Sequence, residues 1–205
     1  ERLALKLFNG LTHSYYHGGG NSGLTVFLTH LFSLNLAEQF LPSRELAMLY
    51  LEHLGAVSML GMRDRVVRYA ERSTEIRKND FPAQRDGLTS HYLSVANFCM
   101  ADFGKAIEEG YAAIRLLERV GDYWKIHMTR YQVAAALYHK GYFREAIAEA
   151  RKNYESGIEK GDYQAAGIIL DVWARAKPGD VPDEIIEAEF ARNRDALALV
   201  QAALD

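Results

Sequence analysis

His13 and His17 stand four residues apart, so on a helix they would share a face and could together bind a metal ion. A usable site needs three or four ligands, and neither Asp nor Glu follows His13 in the pattern of a zinc-protease helix. With Tyr15 and Tyr16 between them, the pair reads as solvated or hydrogen-bonded side chains. The stretch Gly18-Gly-Gly-Asn-Ser-Gly23-Leu24-Thr25 has the glycine spacing and terminal threonine of a phosphate-binding loop. Leu24 replaces the lysine that would bring positive charge to a phosphate, and a helix-like segment precedes the loop instead of a buried strand, so it reads as an interhelical linker. Cys99 follows His91 by two turns, and His139 stands forty residues beyond Cys99, an arrangement that invites comparison with an imidazole-activated thiol. Stacked helices lie about 8–10 Å apart, however, and a cysteine in such a setting is expected to act as a small buried hydrophobe. The carboxylate pairs Glu108-Glu109 and Asp183-Glu184 fall on exposed faces or first turns, and Lys105 with Glu109 and Arg151 with Glu155 are spaced for helix-supporting ion pairs. No complete catalytic or metal-binding motif emerges. The chain is therefore not expected to be an enzyme, and no cofactor or metal is expected.

The elements that would position these side chains follow from composition and period. The chain has 205 residues, 49% hydrophobic and 25% charged, with a net charge of -3, the balance of an ordinary globular protein. That charge gives no basic footprint for nucleic acid. A single cysteine excludes an internal disulfide and points to a reducing, cytoplasmic setting. The most apolar stretch, Leu24 to Leu36, is interrupted by Thr29, His30, Ser33 and Asn35, so neither a membrane span nor a signal peptide is expected. The start at Glu1, with a helix already under way at Leu3 to Phe8, is expected of a piece of a longer chain.

Phe103, Ile107, Gly110, Ile114 and Leu117 recur at spacings of three and four, as one buried helical stripe would, and Phe143, Ile147, Ala150, Tyr154 and Ile158 nearly repeat the pattern forty residues later. The offset extends to three copies. Gly61, Ala101 and Gly141 align at a turn; Val66, Ala106 and Ala146 align after it, then Val67, Ile107 and Ile147; Ala56, Ala96 and Ala136 align before it. Gly121-Asp122-Tyr123 likewise matches Gly161-Asp162-Tyr163. This periodicity predicts about ten helices, near 2–16, 23–40, 44–59, 63–79, 84–100, 103–119, 123–139, 143–159, 163–176 and 183–203. They pair as antiparallel hairpins about 2–40, 44–79, 84–119, 123–159 and 163–203 in one domain spanning 1–205. Asp122 and Asp162 are expected N-caps, and Pro182 fits the first turn of the last helix.

At Gly141-x-Phe143-x-x-Ala146-Ile147, preceded by Ala134 and Leu137, the chain resembles the tetratricopeptide repeat. Its units run forty residues where the family unit is about 34, they end in Gly-Asp instead of proline, and Arg130 stands where a large aromatic is usual. The longer unit, with Arg115-Leu-Leu-Glu-Arg-Val-Gly-Asp-Tyr-Trp124 and Leu170-Asp-Val-Trp-Ala-Arg-Ala176, is similar to the C-terminal repeats of large bacterial signalling ATPases and kinases. The resemblance implies an all-α, right-handed superhelical solenoid, and a protein-interaction, scaffolding or sensor module that takes a partner peptide or helix in its concave groove. Carried over by position, the groove comprises Met48, Leu51, Leu88, His91, Phe98, Tyr131, Tyr138, His139, Asp171 and Arg175. A small-molecule sensor, an intramolecular scaffold docking on other domains of the parent protein, and a self-associating module remain alternative readings.

Overall fold

The computed structural model describes residues 7, 10, 11 and 23–192, and every regular element among them is helical. Eight helices have both ends in view: α1 (Gly23–Ala37), α2 (Arg44–Met59), α3 (Arg63–Ile76), α4 (Pro82–Cys99), α5 (Phe103–Glu118), α6 (Tyr123–His139), α7 (Phe143–Lys160) and α8 (Tyr163–Ala176). Residues 183–192 are helical again. Of the expected helix 2–16 only Leu7, Gly10 and Leu11 are described, and 193–203 lies outside the described residues.

The boundaries have a local cause. Five of the connections share one turn. In each, a residue at positive φ ends the helix: Gly61 (70°), Ala101 (58°), Gly121 (69°), Gly141 (80°) and Gly161 (73°). Its own N–H bonds back to the carbonyl three residues earlier, and the next N–H bonds to the carbonyl five earlier, as in Gly141 to Tyr138 (2.9 Å) and Tyr142 to Leu137 (2.9 Å). This is the Schellman closure, which satisfies the last carbonyls of a helix and needs the left-handed conformation that glycine adopts without a Cβ clash. The residue after the turn then starts the next helix. Asp102 and Asp162 do so with a side-chain cap on the amides of Lys105 and Ala165, as does Ser43 on Leu46.

The α3–α4 connection departs from this pattern. Arg77 closes α3 and is 2% exposed, and its guanidinium donates to Ser73 Oγ (3.2 Å), the Arg85 carbonyl (3.3 Å) and Thr89 Oγ1 (2.9 Å). Ser73 in turn donates to the Ala47 carbonyl at 2.8 Å, so a single polar chain joins α2, α3 and α4. Burial holds the Arg77 guanidinium below its ordinary pKa. Pro82 then opens α4 at its first turn, where no N–H is needed.

The chain divides into two compact units, Glu1–Asp122 and Tyr123–Asp205. In the first, α2 packs on α3 and α4 on α5 as antiparallel hairpins, with α2 also against α4 and α1 against α2. In the second, α6 and α7 form a hairpin and α8 packs on both. Alanines at the crossings are fully covered, among them Ala96, Ala106 and Ala113 in the first unit and Ala134, Ala136, Ala146 and Ala166 in the second. Such short side chains let helix axes approach closely while Leu51, Leu54, Leu117, Val133 and Ile169 fill the remaining volume. Of the aligned positions after the turns, Val66, Ala106 and Ala146 are buried, whereas Val67 is exposed and Ile107 and Ile147 are half-buried. Consecutive packed helices of this kind fit a helical repeat. No helix among the described residues is long and apolar enough to cross a membrane.

Candidate functional site

The ten groove residues fall into three environments. Leu51, Leu88 and His91 are buried, at 0%, 7% and 5% exposure, and belong to the packing of the first unit. Met48 and Phe98 are half-buried, Phe98 lying edge-on to Phe103 with ring centroids 5.4 Å apart. In the second unit, Tyr131 and Tyr138 are half-buried on α6, seven residues and so two turns apart on one face. The Tyr138 ring meets His139 at 5.4 Å and Phe143 of α7 at 5.6 Å. His139, Asp171 and Arg175 are exposed, the last two joined by a 2.7 Å ion pair along α8.

His13, His17 and the glycines 18–20 lie outside the described residues. Cys99 is half-buried, and burial raises its thiol pKa, the reverse of what an activated nucleophile requires. Among the described residues no group of three or more His, Cys, Asp or Glu side chains is placed to hold a metal. Two expected ion pairs take other partners. Lys105 turns back to Asp102 at 3.3 Å, because that carboxylate already sits at the helix start. Arg151 reaches Asp180 at 3.0 Å and lies over the Trp173 ring. Asp180 also accepts from Trp173 Nε1 and Lys177 Nζ, and these donors, Lys177 first, pull its pKa down to about 2.

Besides the Arg77 chain, three further polar networks inside the helix interfaces are not shown by sequence reading. His127, at 0% exposure on α6, places Nδ1 2.8 Å from Asp162 Oδ2 and Nε2 2.9 Å from Ser156 Oγ. Nδ1–H donates to the carboxylate, and Nε2 shares a second hydrogen bond with the serine hydroxyl. The order Ser–His–Asp is that of a hydrolase triad, but Ser156 sits inside α7, where the neighbouring amides are committed to the helix ladder and cannot line an oxyanion hole. What the network does is join three helices, since Asp162 also caps α8 through Oδ1. Gly157 makes room for it: a Cβ there would come within 3.0 Å of the Asp162 carbonyl and 3.1 Å of Ala166 N. Between the same two helices α6 and α7, Arg130 meets the buried Glu149 at 3.4 Å.

The third network lies in the first unit. His30 Nε2 and His53 Nδ1 are 3.2 Å apart between α1 and α2, with stacked rings. Both are buried, and Tyr69 of α3 closes the group edge-on to His53. One ring donates and the other accepts, so at least the accepting imidazole is neutral, and two charged rings would repel each other across the contact. Desolvation, then His30, then Arg65 bring the His53 pKa down from 6.5 to about 4.

A surface feature completes the inventory. At the α2–α3 turn, Gly61, Met62, Arg63, Asp64, Arg65 and Arg68 line an open cavity of about 430 Å³. Met59, Leu60 and Val67, next to the lining residues in sequence, are exposed. No protein-family profile matches the sequence, and no curated protein matches it significantly.

Proposed function

We propose that the chain is a protein-interaction or scaffolding module of a larger regulatory protein, a right-handed stack of tetratricopeptide-like hairpins that receives a partner peptide or helix in its concave groove. The observation that carries this reading is the single turn geometry at residues 61, 101, 121, 141 and 161, with the same positive φ and the same pair of closing hydrogen bonds. Helices joined in this way present the side chains of successive first helices on a common face, and repeat arrays use such faces for binding. Tyr131 and Tyr138 are the anchors assigned here. Each pairs a large apolar ring having few rotatable bonds with a hydroxyl that can bond to a partner.

The test is affinity capture from the source-cell lysate by the chain and by its Tyr131→Ala, Tyr138→Ala double variant, with circular dichroism of both. Loss of a captured protein at unchanged helicity is expected. Equal capture by both would remove this face of α6 from the binding surface.

A further inference from the structure

Two surfaces of this chain complement each other in charge and in apolar content. The edge at the start of α3 is basic: Arg63, Arg65 and Arg68 are exposed around the 430 Å³ cavity, with Asp64 as the one carboxylate among them. Met62 contributes an apolar wall, and Met59, Leu60 and Val67, next to the lining residues in sequence, are exposed at 71%, 64% and 55%. The helical segment 183–192 carries the opposite pattern. Asp183, Ile186, Glu187 and Phe190 fall at i, i+3, i+4 and i+7, one continuous stripe, and all four are exposed, Phe190 at 73%. Glu184 adds a further carboxylate next to the stripe, while Glu189, which faces inward, is occupied by Arg192. An exposed phenyl ring flanked by carboxylates, and a cavity walled by guanidinium groups and a thioether side chain, are matched as an anchor and its socket.

We infer that the Asp183–Phe190 stripe of one copy docks on the arginine-lined edge of a second copy, Phe190 entering the cavity and Asp183 and Glu187 facing Arg65 and Arg68. Every copy carries both surfaces, so each contact pairs the stripe of one copy with the edge of another, and one copy can take part in two such contacts. The inference does not depend on the partner-binding reading of α6.

The experiment is sedimentation of the full chain over a range of concentrations at low and high salt. The weight-average mass should rise above that of the monomer at low salt and fall back as salt screens the charges. Asp183→Lys with Glu187→Lys places like charges against the edge and should weaken association about a hundredfold, and Arg65→Glu with Arg68→Glu should do the same. Mixing the two variants, or combining all four changes in one chain, should restore association to within about tenfold of the original. Phe190→Ser should weaken it at both salt levels. Circular dichroism verifies that each variant is folded. A chain that stays monomeric throughout, or an association that ignores the charge exchange, would overturn the inference.

Discussion

His53 shows how one side chain can couple the first unit to pH. A histidine usually gains a partner on folding and its pKa rises; here burial beside His30 lowers it from 6.5 to about 4. The folded state therefore resists the proton that the unfolded chain accepts. The contribution to stability is complete above pH 6.5, declines as the pH falls through the window between 6.5 and about 4, and is gone below it. A span from 6.5 to about 4, at about 1.4 kcal/mol per pH unit, corresponds to about 3 kcal/mol. Urea midpoints measured across this window should fall steeply for the wild type. They should fall much less for His53→Gln, which leaves His30 a neutral hydrogen-bonding partner. An identical slope in the variant would assign the acid sensitivity elsewhere. Neither imidazole could be paired from sequence: His30 and His53 lie 23 positions apart, and only the docking of α1 on α2 brings them into contact. The same holds for His127, whose partners Ser156 and Asp162 are 29 and 35 positions away.

Among the elements, the turns were the most legible because their code is local. A small residue at a fixed offset specifies the stop, and the helices at 63, 103, 123, 143 and 163 accordingly begin two residues after it, where the repeat predicts. Ala101 keeps the turn but not the glycine. It is the non-glycine residue at positive φ among those described, and the left-handed conformation costs an L-residue about 1–2 kcal/mol. Part of that is returned by the lower entropy of the unfolded alanine chain, so Ala101→Gly should stabilise the protein by about 1 kcal/mol in urea unfolding. A destabilising Ala101→Gly would mean that the methyl group contributes packing that outweighs the backbone strain. The phase of the helices was less legible than their limits. A residue is 100° from its neighbour around the axis, so a small rotation turns Leu51, Leu88 and His91 from a groove into the interior, where the structure places them. Pairings by spacing alone failed for a related reason. Lys105 and Arg151 had partners available on their own helices, but carboxylates fixed at a cap or a loop, Asp102 and Asp180, were already oriented to receive them.

For the molecule as a whole, the connectivity is local in both units. Among the described helices of the first, the packed pairs are neighbours in sequence or have one helix between them, and the same is true of α6, α7 and α8. Loop closure therefore sacrifices little chain entropy before contacts form, and domains of such low contact order fold in roughly microseconds to milliseconds. Stopped-flow refolding should show its main amplitude in about milliseconds or less; a main phase lasting seconds would point to a non-local step that the packing does not contain. The five shared turns also carry an implication about handedness at the level of single atoms. An added Cβ at Gly61, Gly121, Gly141 or Gly161 would meet nothing within 4 Å, so the preference for glycine there is not one of space but of mirror image. A D-alanine, for which positive φ is the relaxed conformation, would restrict the unfolded chain without backbone strain in the folded one, adding about 0.4–1 kcal/mol at each site by the same entropic argument that favours alanine over glycine elsewhere. At these positions the achiral residue is the nearest that a chain of L-amino acids can come to the mirror-image building block.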